Sequence, residues 1–250
     1  MGVSIVATDV DAENVATAYA SPVRRALEGI HFLNESLEKC QRNYAPGKSS
    51  LKGTIFGAPV VNSSYLRCTG LQHFLQTGIA ESRNGTMFVI ARNLVDDGAV
   101  ANRTLLAGTY RGIGGAVLPG YSGVGLYAGG AVSRVNGHST HAANDAADGV
   151  LAVATTQVIP LTTWAMMMLS FSDGKLINRN LTVPYTASAT PTAIRRVSPD
   201  KIRIGSAYTS YTGVCDVAVF QYHSEVLEEE EILLVASDLR EYAEGRGITV

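Results

Sequence analysis

The sequence predicts an all-β protein: antiparallel strands in a sandwich, an N-terminal arm and a short C-terminal helix. Three observations predict it. From residue 51 onward, short apolar runs rich in β-branched and aromatic residues alternate with Gly, Pro, Asn and Asp turn signals. The segment from Gly120 to Val135 sets Val124, Leu126, Ala128, Ala131, Val132 and Val135 between glycines, which suits strands in close approach. After Ser224 the apolar period lengthens, with Leu227, Ile232, Leu233, Val235, Ala236 and Leu239 on a helical repeat.

Residues 1–50 have a different texture from residues 51–250. Between Asp11 and Leu37, the spacing of Val15, Ala18, Val23, Ala26, Leu27, Ile30 and Leu33 predicts short helical turns, punctuated by Pro22 and Gly29. This segment reads as an arm or lead-in that packs on the main domain or on a neighbouring subunit, or as an irregular first layer of the same domain. Residues 51–250 then form the sandwich. Leu51 to Pro59 predicts a strand that ends at a turn, and Tyr65 to Cys68 and Gln72 to Gln76 predict two more. Thr86 to Arg92 is a buried strand entered from Asn84-Gly85, and Leu105 to Tyr110 is another. His138 to Asp148 is small and polar and reads as a surface loop. Val150 to Thr155 and Trp164 to Phe171 are strands, and Ser172-Asp173-Gly174 turns the chain into a hairpin completed by Lys175 to Val183. Ile202 to Gly205 and Val214 to Tyr222 close the β region. Ser224 or Glu225 is expected to cap the helix, whose first turns hold the Glu228–Glu231 run favoured at a helix N-terminus.

Composition excludes several classes of function. With 46% hydrophobic and 17% charged residues the chain is globular, not disordered. Its 20 basic and 22 acidic residues give a net charge of -2 without a basic run, so no nucleic-acid partner is expected. The most apolar stretch, Val150 to Phe171, is broken by six polar residues and Pro160, so no membrane insertion is expected. The N-terminus lacks the pattern of a signal peptide, and the N-x-[ST] sequons at Asn34, Asn62, Asn84, Asn102 and Asn180 are read accordingly as unglycosylated. Cys40, Cys68 and Cys215 are odd in number and widely spaced, which suits a reducing cytoplasm better than a disulfide framework or zinc site.

Motifs of chemistry fail on inspection. Pro46-Gly47-Lys48-Ser49 imitates a P-loop, but Arg42 stands where the first glycine belongs. Gly112, Gly114 and Gly115 lack the strand-turn-helix frame of a dinucleotide site. No Gly-x-Ser-x-Gly elbow is present. Carboxylates avoid the strands, Asp216 excepted, so a glycosidase pair is not evident, although distant carboxylates could still meet in the fold. His138 and His141, with Asp145 and Asp148, form the only His/Asp concentration and are candidate metal ligands, but a flexible loop would hold a metal imprecisely and no metal is assigned. Tyrosines suit sugar recognition, since a ring face stacks on a sugar while the hydroxyl tip tolerates water. The candidate ligand-binding residues are therefore Tyr121, Tyr127, His138, His141, Tyr208 and Tyr211, with Tyr185 also beside a proposed loop.

A resemblance joins these segments. Thr163-Trp164 leading to Asp173-Gly174, then Ile202-Arg-Ile-Gly205-Ser206, then Gly213-Val-Cys-Asp216, then Glu230-Glu-Ile232, resembles the laminin-G-like, concanavalin A-like lectin/glucanase superfamily, with Thr86 to Arg92 as an earlier strand. The match spans about residues 50–240 and is most specific in its C-terminal part. It implies a two-sheet antiparallel jelly-roll in which Asp173-Gly174, Gly213 and Asp216 are structural. The glucanase branch's Glu-x-Asp-x-x-Glu strand has no counterpart here, so no enzymatic activity is expected. Calcium occurs in parts of the superfamily, but its ligands do not map onto this chain and no cofactor is assigned. The ending Leu239-Arg-Glu-Tyr-Ala-Glu-Gly-Arg-Gly-Ile248 looks like the tails of such domains in tailed-phage virion proteins. The resemblance thus implies a virion protein made in the host cytoplasm: a tail-fibre, baseplate or surface module, or a capsid decoration protein. Expected partners are other virion proteins, copies of itself in a homo-oligomer such as a trimer, and a host-surface glycan.

Overall fold

A computed structural model describes residues 16–111, 123–143, 150–157 and 160–250. Among these residues, sixteen strands form two antiparallel sheets, as the sequence predicts. Sheet A holds β1 (Leu27–Phe32), β3 (Val60–Val61), β4 (Leu66–Thr69), β6 (Gly85–Asn93), β11 (Ala165–Phe171), β12 (Leu176–Asn180), β13 (Tyr185–Ala189) and β16 (Val214–His223). Sheet B holds β2 (Thr54–Phe56), β5 (Phe74–Ala80), β7 (Thr104–Gly108), β8 (Val124–Ala128), β9 (Arg134–Ala142), β10 (Val150–Gln157), β14 (Ile194–Arg195) and β15 (Lys201–Ile204). The helices are α1 (Leu37–Gln41) and α2 (Glu229–Gly245).

Sheet A runs in the order β13-β12-β11-β6-β16-β4-β3. Strand β16 pairs with β6 along one side; on the other it meets β4 through Val214–Val217 and β1 through Val219–His223. Sheet B runs β10-β9-β8-β7-β15-β5-β2, with β14 pairing onto the end of β9. Alternation then sorts the side chains. Leu66, Met87, Val89, Met167, Leu169 and Val217 of sheet A meet Leu75, Leu126, Val135, Ile202 and Ile204 of sheet B in the central core. Gly137 of β9 lies so near the facing sheet that a Cβ there would stand 2.2 Å from the Leu169 side chain. Asn178 of β12 reaches across the layers and donates to the carbonyls of Val135 and Ala154 at 3.1 and 3.0 Å.

The outer face of sheet A carries a second apolar cluster. Ile30, Phe88, Ile90, Met166, Met168 and Val219 pack under Ile232, Val235, Ala236 and Leu239 of α2. A register shift between Val217 and Val219 turns both Ala218 and Val219 toward this cluster. The helix starts later than the sequence suggests. Its N-cap is Glu228, paired with Glu231 in a reciprocal capping box, whereas the Ser224 amide donates to the Ala26 carbonyl. Gly247, at φ +75°, ends it: the Ile248 amide donates to the Ala243 carbonyl and the Gly247 amide to that of Glu244.

Two further expectations are corrected. Leu27–Phe32 is a strand hydrogen-bonded into sheet A, not a helical turn; its apolar spacing imitates a helix because the strand is buried on both sides. His138–Ala142 belongs to strand β9, not a surface loop, and all five residues are buried between β8 and β10. The three cysteines are free and buried, and Cys68 and Cys215, far apart in sequence, are register partners on β4 and β16. Gly205, at φ +78°, packs against them: a Cβ there would stand 2.2 Å from the Cys68 Cβ.

Candidate functional site: the outer face of sheet B

Where α2 covers sheet A, the outer face of sheet B carries aromatic rings and guanidinium groups. The pleat puts them there. Inward Ile55, Leu75, Ile202 and Ile204 leave Phe56 on β2, Phe74 and Gln76 on β5 and Arg203 on β15 facing outward. Inward Leu126 and Val135 likewise leave Tyr127 on β8 and His138 on β9 outward. The loop after β15 folds back over this face and delivers Tyr208 and Tyr211. Tyr211 adopts φ +67°, a left-handed conformation uncommon outside glycine, held by its ring packing.

The rings form two connected groups. In the first, Phe56 and Phe74 stack with centroids 5.0 Å apart and planes 9° from parallel. The Arg203 guanidinium lies 4.4 Å from the Phe74 centroid and 3.6 Å from that of Tyr208, and its Nε donates to the Gln76 side chain at 3.2 Å. Arg111 sits 5.1 Å from the Tyr208 centroid and pairs with Asp200, whose carboxyl it holds below the usual range. In the second group, Tyr211 stacks on Tyr110 at 5.7 Å and on Tyr127 at 5.0 Å. His138 lies beneath, 4.0 Å from the Tyr110 centroid and 5.2 Å from that of Tyr127. The Tyr208 amide donates to the Tyr110 carbonyl at 3.2 Å and joins the groups.

Electrostatics leave the second group neutral. Burial pushes the His138 imidazole down to about 3, and its ring nitrogens have no hydrogen-bond partner among the described residues. Burial also raises the Tyr127 and Tyr211 hydroxyls. Positive charge on this face comes from Arg203 and from Arg103 and Arg134 near Tyr127, while Arg111 is paired with Asp200. Half-exposed Tyr127, Tyr208 and Arg203 and exposed Phe56 present apolar ring faces beside N–H donors, an arrangement that accepts a ring with C–H faces and hydroxyl groups.

The structure brings together Tyr127, His138, Tyr208 and Tyr211 of the residues singled out by sequence. It separates His141 from them. Three positions apart on a strand means opposite faces: His141 points between the sheets, where Nε2 meets Ser139 Oγ at 2.8 Å and Nδ1 meets the Ala193 carbonyl at 3.0 Å. His138 and His141 thus cannot share a metal ion, and no cluster of metal-ligating residues occurs among the described residues. Tyr121, Asp145 and Asp148 lie outside the described residues. Tyr185 stands exposed on edge strand β13. His141 instead lines a pocket of about 300 Å³ with Leu151, Ala152, Ala189, Pro191 and Ala193, where edge strands β10 and β13 approach.

Sequence reasoning missed Phe56, Phe74, Tyr110, Arg111 and Arg203. The alternation of Phe74 with Leu75 and of Arg203 with Ile204 was the available signal, but it does not tell which of two faces lies open. Among the described residues, the two buried carboxylates are tied to arginine. Glu81 pairs with Arg195 and accepts from Thr109, while Asp216 pairs with Arg67 and Arg92 on the other sheet. Burial raises the Glu81 carboxyl against the pull of Arg195. No helix among the described residues is long and apolar enough to cross a membrane.

No protein-family model matches the chain, and no curated protein sequence matches it. Solved structures do match in fold. The binding domain of botulinum neurotoxin DC in complex with SialylT superposes with a TM-score of 0.62 at 7% identity, covering 86% of this chain and 52% of that one. The binding domain of botulinum neurotoxin serotype D gives 0.60 at 9%, covering 87% and 53%. The binding domain of Paraclostridial Mosquitocidal Protein 1 gives 0.60 at 9%, covering 86% and 52%. The chain thus spans about half the length of these structures, and at such identity the likeness is one of fold.

Proposed function

We propose that this chain is a non-enzymatic binding module of a tailed-phage virion, attaching to a host-surface glycan through the outer face of sheet B. The observation that carries the reading is the band formed by Phe56, Phe74, Arg203, Tyr208, Tyr211 and Tyr127. Ring faces beside guanidinium donors suit a sugar, whose C–H faces stack while its hydroxyls accept hydrogen bonds. The fold is shared with toxin binding domains, one of them in complex with SialylT, which supports a binding role over a catalytic one. The arginine pairing of Glu81 and Asp216 supports it as well, because neither carboxylate is arranged as an acid facing a base. The virion assignment, in a tail fibre, baseplate or surface module, rests on the resemblance of Leu239–Ile248 to the tails of phage domains. Neighbouring virion proteins and further copies of this chain are the proposed assembly partners, and the reading needs no cofactor.

The test is a bacterial-glycan array probed with the wild type and with Tyr127→Ala and Tyr208→Ala. Saturable binding to a surface polysaccharide is expected, weakened about tenfold by either substitution. Turnover of the polysaccharide, or binding unchanged in both variants, would overturn the reading. Immunogold labelling of intact particles separates placements: label on tails supports attachment, and label over the capsid alone supports a decoration protein. A protein found only as a soluble cytoplasmic monomer defeats the virion assignment.

A further inference from the structure

The outer face of sheet A holds an unbalanced charge beyond the reach of the sheet B band. Asp216 on β16 is fully buried, and its register partners on both sides are arginines: Arg67 on β4 and Arg92 on β6. Arg67 donates from Nε to Oδ1 at 2.7 Å and from Nη2 to Oδ2 at 3.0 Å. Arg92 approaches Oδ2 with Nε at 3.0 Å and Nη2 at 2.9 Å. Both guanidinium groups therefore spend the same edge, Nε and Nη2, on one carboxylate. Neither Nη1 makes a hydrogen bond to the described residues, and no other carboxylate there pairs with either arginine. Two cations share one anion, and one positive charge is left over.

Aromatic rings fix these guanidinium planes. Arg92 lies 4.8 Å from the Trp164 ring centroid and 5.5 Å from that of Tyr65, and Arg67 lies 5.7 Å from Tyr65. Tyr65 and Trp164 pack on the edge of the cluster beneath α2 and remain half-exposed. The side chains of Arg67 and Arg92 keep 36% and 30% of their surface in solvent. The free N–H edges are thus oriented, accessible and charged, and a ring stands beside them. Preorganised guanidinium donors of this kind match the planar oxygens of a carboxylate.

We propose that Arg67 and Arg92, held by Asp216 and flanked by Tyr65 and Trp164, bind the carboxylate of an acidic saccharide. The carboxylate takes the Nη1 donors and the sugar ring lies against the indole. This site is on the opposite face from the sheet B band and stands or falls independently of it.

Trp164 is the chain's one tryptophan, so intrinsic indole fluorescence reports on this site alone. The test titrates the full chain with trigalacturonate, maltotriose and inorganic phosphate. A saturable emission change with trigalacturonate is expected, with none from maltotriose and much weaker binding of phosphate. Raising salt from about 0.1 M to about 1 M, which shortens the Debye length from about 10 Å to about 3 Å, should weaken the response. Arg67→Gln and Arg92→Gln should each weaken it about tenfold. Arg92→Lys keeps a cation beside Asp216 and should also lose affinity, which covers the case of a glutamine variant that fails to fold. An equal response to maltotriose, phosphate binding as tight as trigalacturonate, or unchanged affinity in the folded arginine variants would each refute the proposal.

Discussion

The part of sheet A's outer face that lies under α2 is largely aliphatic, while the outer face of sheet B is aromatic and cationic and lies under the loop that carries Tyr208 and Tyr211. Both faces leave the same central core behind them, and both must deal with side chains that the pleat directs away from it. Sheet A buries its Ile, Met and Val residues under a helix, which removes them from water. Sheet B uses residues that combine an apolar body with a polar tip or a charge, which can remain half-exposed without a large penalty. The difference teaches that coverage is written into residue type: a face built for a permanent cover is aliphatic, and a face that meets solvent or a ligand is amphipathic.

That contrast can be broken at its covered half. Leu239, fully buried between α2 and sheet A, should cost about 2–5 kcal/mol when changed to alanine, measured by denaturant unfolding. Glycan binding by the remaining folded protein should be unchanged. Tyr127→Ala should do the reverse, weakening binding while costing less stability than Leu239→Ala. A Leu239→Ala variant as stable as wild type would mean that α2 does not keep water from the apolar face of sheet A.

Acid should act on the other half. His138, on the sheet B side, is pushed down to about 3 by burial. A histidine whose folded value lies below its ordinary value near 6.5 binds its proton more readily when unfolded. Its stabilising contribution is present above about pH 6.5 and is lost as pH falls toward the folded value. Each such group should contribute a slope of about 1.4 kcal/mol per pH unit within that window. His138→Phe should remove one such slope between about pH 6 and pH 4, read from unfolding free energies at several pH values. An unaltered slope would show that His138 is accessible to water, and the sheet B face more open than its packing indicates.

The smallest effect is expected where α2 meets β12 at the surface. Arg179 pairs with Glu229 at 2.7 Å, but Glu229 keeps 57% of its side chain exposed. Solvent screening limits such a pair to below about 1 kcal/mol, and Arg179→Ala should shift the unfolding midpoint only slightly. A larger loss would mean that ion pairs, and not only apolar contact, fasten the helix to its sheet.

Legibility followed locality. The strand Gly85–Asn93, the hairpin turned at Asp173-Gly174 and the C-terminal helix announce themselves through their own residues, and the structure has them. β1 did not, because Leu27, Ile30 and Leu33 fall on a helical spacing while the strand's pairing partner lies at the other end of the chain. β9 did not, because Asn136, His138, Ser139, Thr140 and His141 look like loop residues, and their burial depends on neighbours in both sheets. The candidate face was half legible. Tyr127, Tyr208 and Tyr211 could be suspected as tyrosines near turns, but Arg203 and Phe74 become part of a site only through the register that stacks them.

The position of β16 has a consequence in time. It hydrogen-bonds to β6 on one side and to β4 and β1 on the other, and His223 Nδ1 lies 2.8 Å from the Arg25 carbonyl, 198 positions earlier. Sheet A therefore cannot close while the ribosome is still adding the residues before Val214. Until then β6 and β4 present unpaired edges, and closing so long a loop is slow. Nascent chains should dwell in an incomplete, aggregation-prone state, and shortening the chain before β16 removes the middle of a sheet, not its end.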